Sequence, residues 1–435
     1  MYKSLVTILS LIVLLTSCMD TQEEITVNKP LPEKGTAEYQ DLINPSGSMA
    51  ENIEKVNTIY EITSKLLLDK DVKEAKFLAE NQLKIALLIE YQKGQGLAYN
   101  TLAIVSRREG DTKASLEYQL KSYSIWEITN DQIGLAKSSI NIGNLYRDKS
   151  LFDEAINYYN TAISLLKENG GEMSLIRTAT KNLGRCYQEQ GELDLAEQTY
   201  KMALDMAIEE SNQRAINFLY NDLGRIYEAK GDLETALTYF NRFLELSQLE
   251  DNDYALGLAY NNVGFIEYKL DRDNEASSFL NRALEVSEEP SIQVMALQNL
   301  GILYRDNNQP EKSLSVLTQA EKIGATELGV QDLSVTTIKD LATTYEMLGN
   351  TSQALKYRKM LDEQQRQLKD AEHKLVLQAA KDFKEVEVRY ASFTSSLLVS
   401  GVESKYFGYF IAALFLGLAV FVTSFYSSVY KLWRA

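Results

Sequence analysis

The sequence contains very little histidine, cysteine and proline: its 435 residues include one His, two Cys and five Pro. The histidine, His373, has no candidate catalytic partner, and imidazole is the most frequent general base and metal ligand of proteins. The cysteines are Cys18, at the end of an N-terminal leader, and Cys186. These shortages argue against a histidine-dependent active site, a Cys/His metal site and a disulfide framework. We therefore predict a protein that is not an enzyme and needs no cofactor.

Positive charge is also scarce. Lys and Arg number 45 against 61 Asp and Glu, which gives a formal net charge of −16 at pH 7. A nucleic-acid-binding protein needs a basic face that neutralises phosphates. The charge balance therefore argues against nucleic acid as a partner.

Long hydrophobic runs occur only at the two ends of the chain. Residues 1–17 predict a signal peptide, because Lys3 precedes an eleven-residue apolar run, Leu5–Leu15, that is too short to cross a bilayer about 30 Å thick. The sequence Leu-Thr-Ser-Cys that ends at Cys18 resembles a bacterial lipobox, which implies lipidation of Cys18. An ordinary export signal cleaved nearby is the alternative. Residues 18–50 are polar and predict a flexible linker.

The second apolar run predicts a transmembrane helix over residues 406–428. Tyr406–Tyr426 contains 21 residues without a charge, which is long enough to span a membrane. Aromatic residues stand at both edges, and Lys431 and Arg434 follow, as expected on a cytoplasmic side. Residues 429–435 would then be a short cytoplasmic tail, with the preceding domain in the periplasm at the bacterial inner membrane. A buried helix of the main domain is the alternative.

Residues 51–357 are predicted to repeat with a period near 40 residues. The clearest copies are Asn182–Ala196 and Asn221–Ala236, each with a small residue, a tyrosine three residues later, a turn glycine and then an alanine. We call the first small residue of each copy the register residue. The register residues are Thr63, Ala103, Gly143, Gly184, Gly224, Gly264, Gly301 and Ala342.

The repeat predicts a pair of helices in each copy. Small residues on both helices let them cross closely, and the tyrosine, one turn along on the same face, is expected to fill the space beside the register residue. Glycine provides the turn in four copies. These turn glycines are Gly110, Gly191, Gly231 and Gly349. Because one pair leaves apolar surface exposed, consecutive pairs are expected to stack.

This pattern resembles the tetratricopeptide repeat family, whose usual period is 34 residues. The resemblance implies an all-α fold, a right-handed superhelix of about eight helix-turn-helix repeats. The longer period resembles the long-helix repeats of cell-polarity adaptors and kinesin light chains, which bind extended peptides in a concave groove. The resemblance therefore implies a protein or peptide ligand for this chain.

The resemblance also implies that the first helix of each pair lines the groove. Asn at the position two before the register residue bonds the ligand backbone in peptide-binding relatives, and cationic residues nearby would suit an acidic peptide. The candidate groove residues are Asn141, Arg147, Lys181, Asn182, Arg185, Asp222, Arg225, Asn262, Asn299 and Arg305. Three alternatives remain open. Polar residues could line the concave face simply to keep the repeat protein soluble. The Asn residues could bond the neighbouring hairpin, and the Arg residues could form surface ion pairs worth about 0–1 kcal/mol.

Residues 358–400 predict a long amphipathic helix, because they contain no Gly or Pro. Leu361, Leu368 and Leu375 are spaced by seven, which is typical of a coiled coil that could form a homodimer. Packing back on the repeat domain is the alternative. Repeats, stalk and span together resemble the outer half of bacterial tetratricopeptide-repeat sensor histidine kinases without the kinase domain. We predict a membrane-anchored adaptor or sensor that binds a partner protein or an extended, acidic peptide. The alternative is a truncated receptor that transmits stalk motion to a separate partner.

Overall fold

The computed structural model describes residues 32–33, 36–250, 252–326 and 335–399, in which the regular structure is entirely α-helical. A short helix, α1 (Ala37–Ile43), precedes eight helix pairs. The pairs are α2 (Met49–Leu68) and α3 (Val72–Leu88), α4 (Gln92–Arg108) and α5 (Thr112–Thr129), α6 (Gln132–Asp148) and α7 (Phe152–Glu168), α8 (Met173–Gln190) and α9 (Leu193–Glu209), α10 (Gln213–Lys230) and α11 (Leu233–Ser247), α12 (Asp253–Lys269) and α13 (Asp273–Val286), α14 (Pro290–Asp306) and α15 (Pro310–Thr326), and α16 (Val335–Met347) and α17 (Thr351–Val399). The predicted all-α repeat superhelix is confirmed.

The turn inside every pair contains one residue in the left-handed conformation. These residues are Lys70, Gly110, Ser150, Gly191, Gly231, Asp271, Asn308 and Gly349. Glycine adopts this conformation without a steric penalty, which explains the four glycines. The next helix is then capped in several pairs: the side chain of Asp111 accepts a hydrogen bond from the backbone of Ala114 at 2.9 Å, and that of Asp232 from Thr235 at 3.2 Å. An acidic cap satisfies an N–H group that the helix leaves free.

The space beside each register glycine is filled differently from the prediction. A Cβ atom at Gly143 would lie 2.8 Å from the ring of Tyr159, and one at Gly224 would lie 2.7 Å from Phe240. The filling side chain therefore comes from the second helix, because this is where the two helices cross. Tyr227, three residues after its register residue, instead stacks on Tyr239 of the second helix, with ring centroids 5.4 Å apart.

The core is a series of clusters along the superhelix, each built from consecutive helices. One cluster joins α9 and α10 through Tyr200, Ala203, Leu219 and Leu223. Burying a large apolar side chain stabilises by about 1.5–3 kcal/mol. Stability therefore comes mainly from contacts within and between neighbouring pairs.

The segment predicted as a linker contains α1. Its Tyr39, Leu42 and Ile43 are buried against Val56 and Ile59 of α2. The side chain of Thr36 caps the helix by accepting a hydrogen bond from the backbone of Tyr39 at 3.2 Å. These apolar residues cover the open end of the first pair, a role that a polar average composition hides.

The predicted C-terminal transmembrane helix requires a correction. Among the described helices, none is both long and apolar enough to cross a bilayer. The longest, α17, has 49 residues but carries charged side chains along its length. The fold class is therefore corrected to a repeat superhelix with no membrane span in the described residues, and the predicted inner-membrane location is corrected with it. Residues 1–17, Cys18, 406–428 and 429–435 lie outside the described residues.

The chain divides into two compact units, residues 1–383 and 384–435. In the first unit, α17 begins as the second helix of the eighth pair and buries Tyr357 and Leu361 against Ile338 and Leu341 of α16. In the second unit, residues 384–399 complete α17. The helix is thus part of the repeat array at its start.

Candidate peptide-binding groove

The first helices of the pairs line a single long cavity of about 1910 Å³. The structure brings all the predicted groove residues into its lining. They are Asn141, Arg147, Lys181, Asn182, Arg185, Asp222, Arg225, Asn262, Asn299 and Arg305. The repeat spacing places these positions on one face because each first helix presents the same turns to the inside of the superhelix.

The cavity has an excess of positive charge. Its described lining contains thirteen Lys and Arg residues but seven Asp and Glu residues, in a chain whose formal net charge is −16. Low-dielectric walls lined by one sign of charge concentrate counter-charges. The charge of the described cavity lining is thus opposite in sign to that of the whole chain.

The asparagines two before the register residue connect consecutive repeats. Each donates a side-chain hydrogen bond to an asparagine of the preceding pair. The bonds are Asn141 to Asn100 at 2.8 Å, Asn182 to Asn144 at 3.1 Å, Asn262 to Asn221 at 2.7 Å and Asn299 to Asn261 at 2.9 Å. An amide has two N–H donors and an acceptor oxygen. Bonding between repeats, one of the three alternatives, thus uses part of this hydrogen-bonding capacity.

Sequence reasoning missed the acceptors of these bonds. Asn144 and Asn221 lie one after and three before their register residues and also line the cavity. The sequence did contain a signal for these acceptors: the preceding copy has a second asparagine either one after or three before its register residue. Asn144 also accepts a hydrogen bond from the buried hydroxyl of Tyr159 at 2.7 Å.

Two of the predicted arginines are held by carboxylates. Arg147 is 7% exposed and its Nη2 lies 3.1 Å from Asp148 Oδ1. Arg305 pairs with Asp306 at 2.8 Å and with Asp340 of the next pair. Burial raises the pKa of the Asp340 carboxyl, against the opposing effect of Arg305. Arg305 therefore helps to join two pairs, whereas the ion pair of Arg147 with Asp148 lies within one helix.

Arg185 and Arg225 are different. Both are half-buried in the cavity wall, and neither guanidinium has a hydrogen-bond or ion-pair partner among the described residues. They occupy the same position in consecutive pairs, and both influence the buried Tyr200. The pKa of the Tyr200 hydroxyl is raised, mainly by burial and next by the nearby Asp222 carboxylate. The two arginines oppose this rise. The Tyr200 hydroxyl donates a hydrogen bond to Gln188 at 2.9 Å.

Farther along the cavity the same position becomes apolar. In the next two pairs, the position one after the register residue holds Phe265 and Ile302 in place of an arginine. Leu258 and Met295 also line the cavity. Sequence reasoning also missed these residues, although their offset from the register residue marks them. The cavity thus has a cationic stretch followed by an apolar stretch.

Cys186 lies behind Arg185 and is fully buried. Burial raises the pKa of its thiol to about 12, which makes it a packing residue and not a nucleophile. The described residues contain no group of three or more His, Cys, Asp and Glu side chains that could hold a metal ion. The described cavity lining contains amides, guanidinium and ammonium groups, carboxylates and apolar side chains.

A superhelix of helix pairs with a polar inner groove defines the class of helical-repeat proteins. The sequence model of the tetratricopeptide repeat matches residues 94–168, 135–209 and 215–289. The chain therefore contains tetratricopeptide repeats. It is similar to tetratricopeptide repeat protein 29 of Trypanosoma brucei brucei, with 22% identity over 150 residues, which are 34% of this chain and 31% of that protein. The match thus spans about a third of the curated relative.

Solved structures share the fold. A Rap protein complexed with competence and sporulation factor has a TM-score of 0.50 at 18% identity, covering 81% of this chain and 98% of that one. The apo form of RapI has a TM-score of 0.53 at 14% identity, covering 63% and 99%. A STAND signal transduction ATPase with a tetratricopeptide repeat sensor from Pyrococcus horikoshii has 0.54 at 13%, covering 79% and 56%. These likenesses establish the fold.

Proposed function

We propose that this chain is a non-enzymatic adaptor that binds a partner protein through an extended segment in its inner groove. The segment carries acidic residues followed by apolar residues. The observation that carries the proposal is the pair of half-buried arginines, Arg185 and Arg225, which have no partner among the described residues. Guanidinium groups bind carboxylates bidentately, with about twice the strength of neutral hydrogen bonds.

The neighbouring positions support the same ligand. The Asn182 and Asn262 amides each have a second N–H beyond the one bonded to the preceding pair, and this capacity suits the backbone of an extended chain, which alternates donors and acceptors. Phe265 and Ile302 would then take the apolar side chains. A Rap protein of the same fold is complexed with competence and sporulation factor, which is consistent with a ligand in this class of repeat.

The test is a titration with fluorescein-labelled peptides of defined chemistry. We expect binding of a peptide that has four glutamates followed by four mostly leucine residues. A peptide in which lysines replace the glutamates should not bind. The affinity should fall with added salt, because exposed parts of the ion pairs are screened. Equal binding of the acidic and basic peptides would refute the proposal.

Matched variants locate the site. Arg185→Ala and Arg225→Ala should each weaken binding by about tenfold or more, because a hydrogen bond to a charged group contributes about 1.5–3 kcal/mol. Arg242→Ala is the control: this arginine is 62% exposed and pairs with Glu245 on the second helix of its pair. Unchanged binding after Arg185→Ala, or an equal loss after Arg242→Ala, would argue against the groove.

A second candidate is a sensor that transmits ligand binding through α17. It rests on the length of this helix, which begins in the eighth pair and continues to Val399. A ligand that moved the eighth pair would move the helix. The measurement is the change in hydrogen exchange of residues 384–399 on peptide binding, and no change would exclude transmission.

A further inference from the structure

The last helix returns to the middle of the repeat array. Its Phe383 contacts Tyr146, which lies at the end of α6 in the third pair, with ring centroids 4.9 Å apart and planes at 90°. This edge-to-face arrangement is favourable for two aromatic rings. From Thr351 to Phe383 an α-helix rises roughly 48 Å, which is long enough to bring a residue of the eighth pair to the third.

Phe383 occupies a site built from two tyrosines. Tyr146 stacks on Tyr158 of α7, with centroids 5.5 Å apart and an angle of 19°, and Phe383 meets the Tyr146 ring with its edge-to-face geometry. Phe383 is 3% exposed and Tyr146 is 4% exposed. Phe383 is thus removed from water on a long, charged helix, as are Ala379 and Val386, which lie one turn to either side of it.

The third pair is more enclosed than the pairs that follow it. Tyr187 and Tyr227 occupy the position of Tyr146 in the next two pairs and are only half-buried. The cavity residue that follows Tyr146, Arg147, is buried as well, whereas Gln188 in the same place is half-buried. The extra burial coincides with the arrival of α17.

We propose that the Tyr146–Tyr158 pair is a docking site for an aromatic side chain on a helix, and that Phe383 fills it in the free protein. Docked there, Phe383 holds the last helix at the third pair, next to Arg147 of the groove lining, and so restricts access to the groove. The claim that Phe383 controls access to the groove rests on the proposed function. The claim that the two tyrosines form a docking site does not depend on it. If the closed form makes up nine tenths of the molecules, the apparent affinity for a competing ligand falls about tenfold.

The site is tested on the full chain with a labelled peptide that copies residues 374–390. Phe383→Ala should empty the site and let this peptide bind about tenfold more tightly than it binds the unaltered chain. Leu377→Ala is the matched control, because Leu377 is a large apolar residue of the same helix that is 47% exposed. A peptide with alanine at the Phe383 position should not bind any variant. Equal peptide binding to the Phe383→Ala and Leu377→Ala chains would overturn the inference.

Hydrogen exchange gives a second readout that needs no ligand. In the Phe383→Ala chain, the amides at the end of α6 should exchange several-fold faster than in the Leu377→Ala chain, since the cover is lost. Exchange at the same rate in both variants would also overturn the inference. Both variants keep the repeat core intact, and circular dichroism checks this.

The experiment separates this inference from the proposed function. Adding Arg185→Ala to the Phe383→Ala chain should leave binding of the residue 374–390 peptide unchanged, because the peptide docks at Tyr146. If that peptide binds as expected while the acidic peptide binds no variant, the aromatic site stands and the acidic ligand fails. If the acidic peptide binds equally to the Phe383→Ala and Leu377→Ala chains, the groove stands and the closing role of Phe383 fails.

Discussion

The Asn182 side chain donates a hydrogen bond of 3.1 Å to the Asn144 side chain and so links the fourth helix pair to the third. Three residues later on the same helix, Arg185 has no such partner among the described residues. One residue is therefore bonded to the neighbouring pair, and the guanidinium of the other is unpaired among the described residues.

This difference predicts separate effects of two substitutions. Asn182→Ala should lower the free energy of unfolding by about 0.5–1.5 kcal/mol, because it removes one hydrogen bond and leaves Asn144 less satisfied. Arg185→Ala should change stability by less than about 0.5 kcal/mol. Urea denaturation followed by circular dichroism measures both. Equal losses of stability would show that Arg185 is also structural.

The turn of the third pair predicts a stabilising substitution. Ser150 has a φ of 59°, and Gly231 has a φ of 82° at the equivalent turn. A left-handed residue with a Cβ atom costs about 1 kcal/mol relative to glycine. Ser150→Gly should therefore raise the midpoint of thermal unfolding, and Gly231→Ala should lower it. A drop in the midpoint for Ser150→Gly would contradict the turn geometry.

The helix crossing predicts opposite effects of one substitution at two glycines. A Cβ atom at Gly143 would lie 2.8 Å from the Tyr159 ring, whereas one at Gly324 in α15 would meet nothing within 4 Å. Gly143→Ala should destabilise by about 1–3 kcal/mol through overpacking. Gly324→Ala should stabilise by up to about 1 kcal/mol through helix propensity. Denaturation midpoints of the two variants should move in opposite directions.

An ion cluster between α9 and α10 predicts a loss of stability in acid. Burial by itself raises the pKa of the Glu197 carboxyl, but hydrogen bonds from Lys201, Lys230 and Tyr227 lower it to about 2, from an ordinary value of 4.5. A lowered folded-state pKa gives stability that is present above pH of about 4.5 and is lost as the pH falls towards 2. Glu197→Gln should therefore be less stable than the parent at pH 7, with a smaller difference at pH 3. A difference that does not change with pH would refute this assignment.

The buried thiol predicts an absence of reactivity. With its pKa raised to about 12 by burial, Cys186 is protonated near neutral pH and shielded from reagents. In a Cys18→Ala chain, a thiol-specific reagent at pH 8 should modify Cys186 at least about a hundredfold more slowly in the folded than in the unfolded state. Comparable rates would show that the fourth pair opens readily.

Much of the architecture could be predicted from sequence because it is periodic. The register residues, the turn glycines and the ten groove residues all follow from a spacing that repeats along the chain. The side chain that packs against Gly143 could not be predicted in this way, because Tyr146 and Tyr159 are equally plausible neighbours until the crossing of the helices is known. The ion pair between Arg305 and Asp340 joins two pairs and depends on how closely they stack, so the sequence left this arginine among the ligand candidates. The predicted C-terminal span was wrong as part of the described fold: it rested on the length, apolarity and flanking residues of a run outside the described residues, and no described helix could cross a bilayer.

The return of α17 also changes how the array should respond to force and denaturant. In a repeat protein whose pairs touch only their neighbours, each pair can open nearly independently, as in a one-dimensional chain of units. The contact between Phe383 and Tyr146 joins the eighth pair to the third and closes the intervening pairs into a loop. The pairs within this loop should therefore unfold more cooperatively than the first two, and the loop should form late in folding, because a contact so distant in sequence requires the whole segment to be ordered first.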